Sequence, residues 1–577
     1  MKRTTKWLVL LVVLSVLAAA CGGDSSTTTV AAVDTPDTTA AAPTTTTGST
    51  DTTVPAEPAG PKTIIIGTTD SIAGLDSADA YAIHDWELLR NIGEALLSFA
   101  PGTTDIVPGL ASDYSVSDDG LVYTFNLRDD IFFGDGTELD ANMYVDHLTR
   151  MLTLDGSGGV GGALGTPFIE SYRAVDDRTV EITLKDAFGY FPQVVTGAPY
   201  MPMHPDFPLD ALVEFPDAPV YGVGVWMITE YVPGEQTVLE PNPYYAGSAP
   251  APKVDRIIIR YFNDAPTMAK AIETVKDGRG EIDIAWRTIG QPDLLAELEG
   301  VDGLTVGTVP GGGVRFMVIN HQLAPTDNAD VRKALAALVD RDEISDRVYA
   351  GTAEPLYSMI PVGFLGANEA FDDVFGAPDI PAAQAFLTAA GYSETNKLQL
   401  QVAYPPEHYG GTAADLIQLL SEQYEASGMI DVEIISQEWS TYIGAVIGGQ
   451  DYAVSLLGWF FDYPDPDNYL APFMNNGGLG TMITDPDTNE PIDADAQALM
   501  DLLVQAGTET DVDARAALYA DLQEKFAENV TTLPLFFLPE HVVYWDYISA
   551  DDAAATIESL NIGPTFDLHY ELLDTSK

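Results

Sequence analysis

The order of apolar and polar positions along the chain switches between two periods, which predicts a mixed α/β protein. Between Leu121 and Leu127 every second residue is apolar, as in a strand with one buried face. Two aspartates separate the apolar runs 172–175 and 179–184, which predicts a hairpin. Further strands are predicted at 256–261, 282–285 and 452–457.

Helical patterns alternate with these strands. Asp140 is placed to cap a helix on which Met143, His147 and Met151 share one face. Asp330 is the predicted cap of a later helix. Because strand and helix signals alternate and no internal repeat is visible, the sequence predicts an α/β architecture.

The stretch from Gly458 to Leu470 is the most informative part of the chain. Two aromatic residues, a carboxylate and two prolines stand where strand 452–457 should end, and proline cannot continue a sheet ladder. The indole of Trp459 and the ionised carboxylate of Asp462 suit an amine-bearing ligand. The residues alone also fit a plain loop with solvated aspartates and Trp459 in the core, which is the commoner arrangement.

Signals for other chemistry are weak. Residues 156–161 read Gly-x-Gly-x-x-Gly but follow a helical pattern, so a surface loop is expected there and not a dinucleotide site. The seven histidines are scattered, with no two at metal-ligand spacing. Asp465 and Asp467 mimic part of a calcium loop that lacks its glycine and its final glutamate. Without a Gly-x-Ser-x-Gly motif either, the sequence predicts no enzyme, no metal and no cofactor.

The charge of the chain narrows the range of partners. There are 87 acidic and 26 basic residues, for a formal net charge of -61. Such a charge argues against nucleic-acid binding and against adsorption to anionic lipid headgroups. A solvated acidic surface suited to salty surroundings is the simpler explanation, and attraction of cationic peptides is the alternative.

The first 61 residues predict export and a tether. Three cationic residues precede an apolar stretch and a run of alanines, which is typical of a signal peptide over residues 1–20. Cys21 is the only cysteine, so an intrachain disulfide is excluded. Residues 21–61 are rich in Thr, Ala and Pro, and predict a disordered stalk with a reach of about 35 Å.

The Gly458–Leu470 run resembles the Gly-Trp-x-x-Asp-Tyr-x-Asp-Pro motif of the family 5 extracellular solute-binding proteins, the oligopeptide and dipeptide receptors of ATP-binding-cassette (ABC) importers. The resemblance covers nearly all of the chain from Lys62 onward. Its other matching segments are 107–111, 116–128, 132–137, 222–226, 331–335 with 340–341, and 532–535. Cys21 also resembles a lipobox cysteine, although Leu17 lies one position further from it than the family pattern prefers, and ordinary cleavage is the alternative.

The resemblance implies a two-lobed periplasmic-binding-protein-like fold of type II, with three domains and a ligand cleft between the lobes. Domain I is expected to be discontinuous. The implied limits are 62–94, 212–307 and 536–577 for domain I, 95–211 for domain II and 308–535 for domain III.

The resemblance further implies the substrate-binding component of an ABC transporter, which captures peptides and delivers them to permease transmembrane subunits. The protein is expected to be monomeric and held by lipid on Cys21 at the outer face of the cytoplasmic membrane. Asp462 matches the acid that takes the α-ammonium group of the ligand. The other expected ligand-binding residues are Gly458, Trp459, Phe460, Tyr463, Trp439 and Arg315.

Alternatives remain open at this point. The same fold could bind an oligosaccharide, an opine-like compound or a metal chelate, and a surface hydrolase or adhesin is a third class. Asp462 favours a peptide, since a free ammonium group needs an anionic partner where water is excluded. Core packing is the alternative role for Trp459 and Trp439, and an internal ion pair is the alternative for Arg315.

Overall fold

The computed structural model describes most of the chain after the first 60 residues. The described residues are 61–155, 161–216, 221–287, 289–309, 313–406, 408–409, 412–449, 451–474, 483–485, 488, 490–550, 557 and 568–577. The predicted signal peptide, stalk and lipidation site at Cys21 lie outside them, as does most of the Gly-x-Gly-x-x-Gly segment.

Strands and helices alternate through the described residues. The strands are β1 (Thr63–Thr68), β2 (Leu97–Phe99), β3 (Ile106–Pro108), β4 (Ala111–Val116), β5 (Val122–Leu127), β6 (Ile169–Asp176), β7 (Thr179–Leu184), β8 (Trp226–Val232), β9 (Gln236–Pro241), β10 (Arg256–Tyr261), β11 (Val275–Lys276), β12 (Arg279–Gly280), β13 (Ile284–Trp286), β14 (Leu304–Val309), β15 (Val314–Ile319), β16 (Glu354–Pro355), β17 (Leu398–Tyr404), β18 (Ile430–Ser436), β19 (Val454–Trp459), β20 (Thr532–Phe537), β21 (Glu540–Trp545), β22 (Ile548–Ala550) and β23 (Leu573–Thr575). The α-helices are α1 (Ile83–Ile92), α2 (Ala141–Leu154), α3 (Phe191–Val194), α4 (Ala265–Glu273), α5 (Pro292–Glu299), α6 (Ala329–Ala336), α7 (Arg341–Tyr349), α8 (Ala370–Phe375), α9 (Ile380–Ala389), α10 (Thr412–Glu425), α11 (Trp439–Ile443), α12 (Asp467–Met474), α13 (Ala494–Thr508) and α14 (Val512–Asn529).

Two sheets build the first lobe. A seven-stranded mixed sheet has the order β14-β21-β13-β1-β10-β9-β8, so its strands come from three separate parts of the chain. A four-stranded antiparallel sheet has the order β4-β5-β7-β6. The predicted hairpin is confirmed by the pairing of β6 with β7, and the predicted alternation is confirmed in β5, whose residues are alternately half-buried and buried.

One six-stranded sheet builds the second lobe. It has the order β16-β20-β15-β19-β17-β18, with β19 antiparallel to β15 and parallel to β17. Since β17 and β19 run in the same direction, their carboxyl ends meet at one edge of the sheet, where side chains from different loops converge.

The chain crosses between the two lobes at two adjacent places. β14 leads into β15 across residues 310–313, and β20 leads into β21 across residues 538–539. The backbone N–H of Leu538 donates to the carbonyl oxygen of Gly313 at 3.2 Å, so the residue that precedes β15 lies beside the second connection. Paired short connections of this kind are the usual hinge of a protein whose lobes open and close. The exact domain limits given above remain a prediction.

Two helix caps were predicted from the sequence, and the structure confirms one of them. Asp140 caps α2 as predicted, because its carboxylate accepts from the backbone N–H of Met143 at 2.9 Å. The cap predicted at Asp330 is wrong, since Asn328 caps α6 by accepting from the N–H of Asp330 at 2.9 Å. Both residue types cap well, and the first of the two begins the helix two residues earlier.

Each lobe has its own hydrophobic core, with one exception that matters below. The first-lobe core gathers buried side chains from both first-lobe sheets, and the second-lobe core surrounds the six-stranded sheet. Tyr463 belongs to the first-lobe core although its chain neighbours Phe461 and Tyr469 belong to the second. Through the described part of the chain, no helix combines the length and the apolar character that crossing a bilayer requires.

Candidate functional site

The candidate site lies at the carboxyl end of β19, where residues 460–466, here called the cleft loop, connect this strand to α12. The strand places Gly458 opposite Arg315 and Trp459 opposite Val314. A side chain at Gly458 would collide with the Arg315 guanidinium, so glycine is required for that close approach. The prolines at 464 and 466 then prevent the strand from continuing.

Asp462 links the cleft loop to the opposite lobe. Its Oδ1 accepts from the hydroxyl of Tyr81 at 2.6 Å, although Tyr81 lies 381 residues earlier, before α1. Its backbone N–H donates to Oδ1 of Asn468 at 2.8 Å, and Nδ2 of Asn468 donates to Oδ2 of Asp462 at 3.3 Å. The carboxylate is therefore held by donors from both lobes.

The electrostatic state of Asp462 follows from its surroundings. Burial raises the pKa of this carboxyl to about 6, while the hydrogen bonds from Tyr81 and Asn468 pull the pKa downward. No cation is among the causes of that shift. A partly desolvated carboxylate that receives only neutral donors is a strong acceptor for an added ammonium group, which brings both charge and further N–H donors.

Trp459 is mainly a support for the cleft loop. Its indole Nε1 donates to the carbonyl oxygen of Asn468 at 2.8 Å, and its ring lies edge-on to Phe473 at 5.6 Å. Phe460 is half-buried and packs against the first-lobe core. The two aromatic residues that the sequence singled out thus face different surroundings, one its own lobe and the other the opposite lobe.

Arg315 is held by aromatic rings. Its guanidinium carbon lies 4.4 Å from the ring centre of Tyr409 and 5.8 Å from that of Phe460. Its Nη1 donates to the carbonyl oxygen of Val314 at 3.3 Å. Within the part of the chain that the structure describes, no carboxylate lies within 4.0 Å of it, so the internal ion pair considered above has no counterpart there.

Trp439 extends the same aromatic group. Its ring stacks on His408 with centres 3.5 Å apart and planes at 2°, and lies 6.0 Å from the ring of Tyr409. Burial and the charge of Arg315 lower the pKa of His408 to about 4, so this imidazole is neutral at neutral pH. The Tyr409 hydroxyl accepts from the backbone N–H of Gly458 at 2.8 Å, which joins the group to the end of β19.

Tyr463 faces away from this group. It stacks on Tyr190 of the first lobe with centres 5.6 Å apart and planes at 6°, and its hydroxyl donates to Asp467 at 2.9 Å. The structure therefore brings together Asp462, Gly458, Arg315, Phe460 and Trp439 around the end of β19, and places Tyr463 in a separate contact between the lobes.

Sequence reasoning missed four residues of the site. Tyr81, His408 and Tyr409 lie in no motif, and Asn468 lies in the Gly458–Leu470 run but was given no role. One signal was available for His408 and Tyr409, because Pro405 and Pro406 end β17 just as prolines end β19. Strands that stop at the same edge of a sheet bring their following residues together, but the pairing of β17 with β19 had to be known first.

The partial calcium motif has another explanation. Both carboxylate oxygens of Asp465 accept from Arg515, at 2.8 and 2.7 Å. Among the described residues, no group of three or more His, Cys, Asp or Glu side chains is arranged to hold a metal ion. The Asp465 carboxylate is thus paired with Arg515 inside the protein, and this pair holds the cleft loop against α14.

Comparisons with known proteins identify the family and the fold. The family model of the bacterial extracellular solute-binding proteins, family 5, matches residues 105–481. The oligopeptide-binding protein OppA of Bacillus subtilis is 25% identical over 455 residues, covering 74% of this chain and 79% of OppA. Heme-binding protein A of Haemophilus influenzae is also 25% identical, over 463 residues that cover 75% of this chain and 79% of that protein.

A solved structure shows the same fold. The periplasmic binding protein DppA from Helicobacter pylori, in complex with the peptide STSA, superposes with a TM-score of 0.72 at 21% identity. The match covers 89% of this chain and 98% of that one. The two-lobed, periplasmic-binding-protein-like α/β fold expected from the sequence is thereby confirmed.

Proposed function

We propose, for a chain that belongs to the bacterial extracellular solute-binding proteins of family 5, that it captures short peptides and delivers them to the transmembrane subunits of an ABC importer. Family members are extracellular or periplasmic binding proteins rather than enzymes, and this chain is proposed to release its ligand chemically unchanged. The observation that carries the proposal is Asp462, a carboxylate between the lobes whose donors are all neutral.

The α-ammonium group of the peptide binds Asp462. The Tyr81 hydroxyl donates to one oxygen of this carboxylate. An ammonium group offers three donors and a full charge at the same place, so it is the stronger partner when the closed lobes exclude water. The hydroxyl of Tyr81 can then turn to accept from the ammonium or remain on the second lone pair of Oδ1.

The opposite end of the peptide binds Arg315. Its guanidinium has two aromatic faces and one backbone carbonyl as partners, which leaves N–H groups for a carboxylate. Gly458, which pairs with Arg315 in the sheet, has no side chain and is proposed to leave room for the backbone of an extended peptide. The stacked rings of Trp439 and His408 are proposed to wall one side-chain pocket.

Closure of the lobes converts binding into a transport signal. The paired connections at 310–313 and 538–539 supply the hinge, and a ligand that contacts both lobes shifts the population toward the closed form. The closed form is proposed to dock as a monomer on the permease subunits, with ATP hydrolysis in separate subunits. The domain limits stated from the sequence are part of this proposal.

The deciding experiment is a double cycle on the Asp462 contact. Trialanine and N-acetyl-trialanine are titrated by calorimetry into the original protein and into the Asp462→Asn variant. Leaving one partner of a desolvated ion pair alone costs about 3–5 kcal/mol, which is about two to three and a half decades in Kd. Acetylation and Asp462→Asn should each produce this loss, and together little more, because both remove the same contact.

The same double cycle distinguishes a peptide ligand from a solute that has no free ammonium group. Additive losses would mean that Asp462 does not meet the amine, and a solute without a free ammonium group would then be favoured. One relative, heme-binding protein A of Haemophilus influenzae, carries a name that refers to such a solute. Native mass spectrometry of the purified protein with the solute it retains identifies the compound directly.

A lipid anchor on Cys21 is the proposed means of retention at the outer face of the cytoplasmic membrane. Two or three acyl chains, at about 0.8 kcal/mol per buried methylene, are sufficient to hold a protein on a bilayer. Cys21→Ser should therefore release the protein into the medium without changing its affinity for trialanine. Persistence of the variant in salt-washed membranes would contradict the anchor.

A further inference from the structure

A second contact between the lobes lies beside the Asp462 site and is centred on Tyr463, the next residue of the cleft loop. On the second-lobe side, Asp465 of the cleft loop is anchored to α14 by a bidentate pair with Arg515. The remaining Nε of Arg515 donates to the carbonyl oxygen of Ala506 at 3.0 Å, and its Nη2 also donates to the Tyr519 hydroxyl at 3.1 Å. Every nitrogen of this guanidinium therefore has an acceptor.

On the first-lobe side, the contact is made by Tyr190, which precedes α3. Its ring lies flat on Tyr463 and also lies 5.1 Å below the guanidinium carbon of Arg515. Its hydroxyl interacts with the Asp467 carboxylate, which already accepts from the hydroxyl of Tyr463. Tyr190 is 3% exposed and Tyr463 is 5% exposed, so water is excluded from the contact.

The contact is linked covalently and by hydrogen bonds to Asp462. Tyr463 follows Asp462 in the chain, and the backbone N–H of Asp467 donates to Asp465 at 2.9 Å. Asn468, the next residue, accepts from the backbone N–H of Asp462 and donates to its carboxylate. A change in how Tyr463 and Asp467 are held must therefore change where the Asp462 carboxylate points.

We propose that Tyr190 is a positioning residue for Asp462: by stacking on Tyr463 and engaging Asp467 it fixes the cleft loop in the orientation that receives the ligand. This inference rests on the proposed function of Asp462.

The test combines two Tyr190 variants with the Asp462→Asn background. Tyr190→Leu keeps an apolar side chain in the core but loses the stack and the hydroxyl, and Tyr190→Phe loses only the hydroxyl. An aromatic pair adds an amount equivalent to about three- to tenfold in affinity beyond the area it buries. Tyr190→Leu should weaken trialanine binding by about this factor, and Tyr190→Phe should weaken it less.

In the Asp462→Asn background the same Tyr190 substitutions should change the trialanine Kd by less than about twofold, because a carboxylate that is absent cannot be positioned. Equal losses in both backgrounds would overturn the inference, and so would unchanged binding in Tyr190→Leu. If Asp462→Asn itself binds trialanine as tightly as the original protein, the proposed function fails instead, and the two failures are therefore distinguishable.

Hydrogen exchange of the protein saturated with trialanine gives a second readout, which does not depend on the change in Kd. Tyr190→Leu should accelerate exchange in residues 459–470 while leaving β5 protected. Tyr123→Leu is the matched control, because Tyr123 is as buried as Tyr190 and packs on Phe191 in the same core without contacting the cleft loop. Unchanged exchange at 459–470 in Tyr190→Leu, or equal acceleration in Tyr123→Leu, would contradict a positioning role.

Discussion

Two of the contacts between the lobes are made by adjacent residues, Asp462 and Tyr463, and they differ in burial and in kind. The bond from Tyr81 to Asp462 is a single hydrogen bond, and the Tyr81 side chain that donates it is 49% exposed. The contact of Tyr190 with Tyr463 is buried and backed by a bidentate ion pair and a second tyrosine. The first can exchange its partner for a ligand at little cost, whereas the second must form or break as a unit.

The two aspartates of the cleft loop, Asp462 and Asp465, therefore have different roles. Asp462 is supplied with neutral donors and is available for a charged partner, while Asp465 is already neutralised by Arg515. Proteins retain buried charges where these are paired and hydrogen-bonded, so Asp465 is a structural carboxylate and Asp462 a functional one. Four predictions sharpen this comparison.

The largest effect on the free energy of unfolding is expected from breaking the ion pair between Arg515 and Asp465. Arg515→Met leaves Asp465, whose side chain is 3% exposed, as an unpaired buried charge. The free energy of unfolding should fall by about 3–5 kcal/mol, as measured by urea denaturation. The matched control is Arg173→Met, which breaks an exposed pair with Glu181 and should cost about 1 kcal/mol or less. Similar values for the two variants would mean that the contact is not the anchor described here.

The pH dependence of peptide binding should report Asp462. Its pKa is raised to about 6, so the carboxyl is protonated below that pH and must lose its proton to pair with an ammonium group. The Kd for trialanine should rise about tenfold for each pH unit below about 6 and should be flat from there until the peptide amine titrates near pH 8. Calorimetry between pH 4.5 and 7.5 measures this, and Asp462→Asn should remove the slope.

The same pKa has a consequence for the ligand-free protein. Because the folded form holds its proton up to about pH 6 while an unfolded aspartate loses it near pH 3.8, folding takes up a proton between these values. The contribution of Asp462 to the free energy of unfolding should therefore fall as pH rises from about 4 to 6. Asp467, which faces Asp465, Tyr463, Tyr190 and Arg515, has a pKa raised to about 6 and adds to the same trend.

The smallest effect is expected from Tyr81→Phe. The hydrogen bond from this hydroxyl lowers the pKa of Asp462, so its removal should shift the midpoint of the binding profile to higher pH, by about one unit or less. Tyr244→Phe, at a tyrosine of similar exposure, is the control and should leave the midpoint unchanged. A midpoint that moves downward would show that Tyr81 does not donate to the ionised carboxylate.

Local patterns predicted much of the fold. The alternation in β5, the hairpin of β6 with β7 and the cap at Asp140 follow from side-chain periodicity and from short-range hydrogen bonding. The incorrect cap at Asp330 has the same origin, because two good capping residues stood close together and short-range rules do not rank them.

The sequence by itself determined that a strand ends near Trp459 and is followed by a turn bearing Asp462, because proline geometry and apolar periodicity act over a few residues; the strand runs to Trp459, two residues beyond the predicted end. Only the tertiary structure decided that Tyr81 reaches Asp462 from 381 residues away, and that Tyr463 belongs to the core of the opposite lobe. The physical reason is that these contacts depend on how two lobes close about a pair of short connections. Those contacts join residues that are far apart in the sequence, so local propensities cannot predict them.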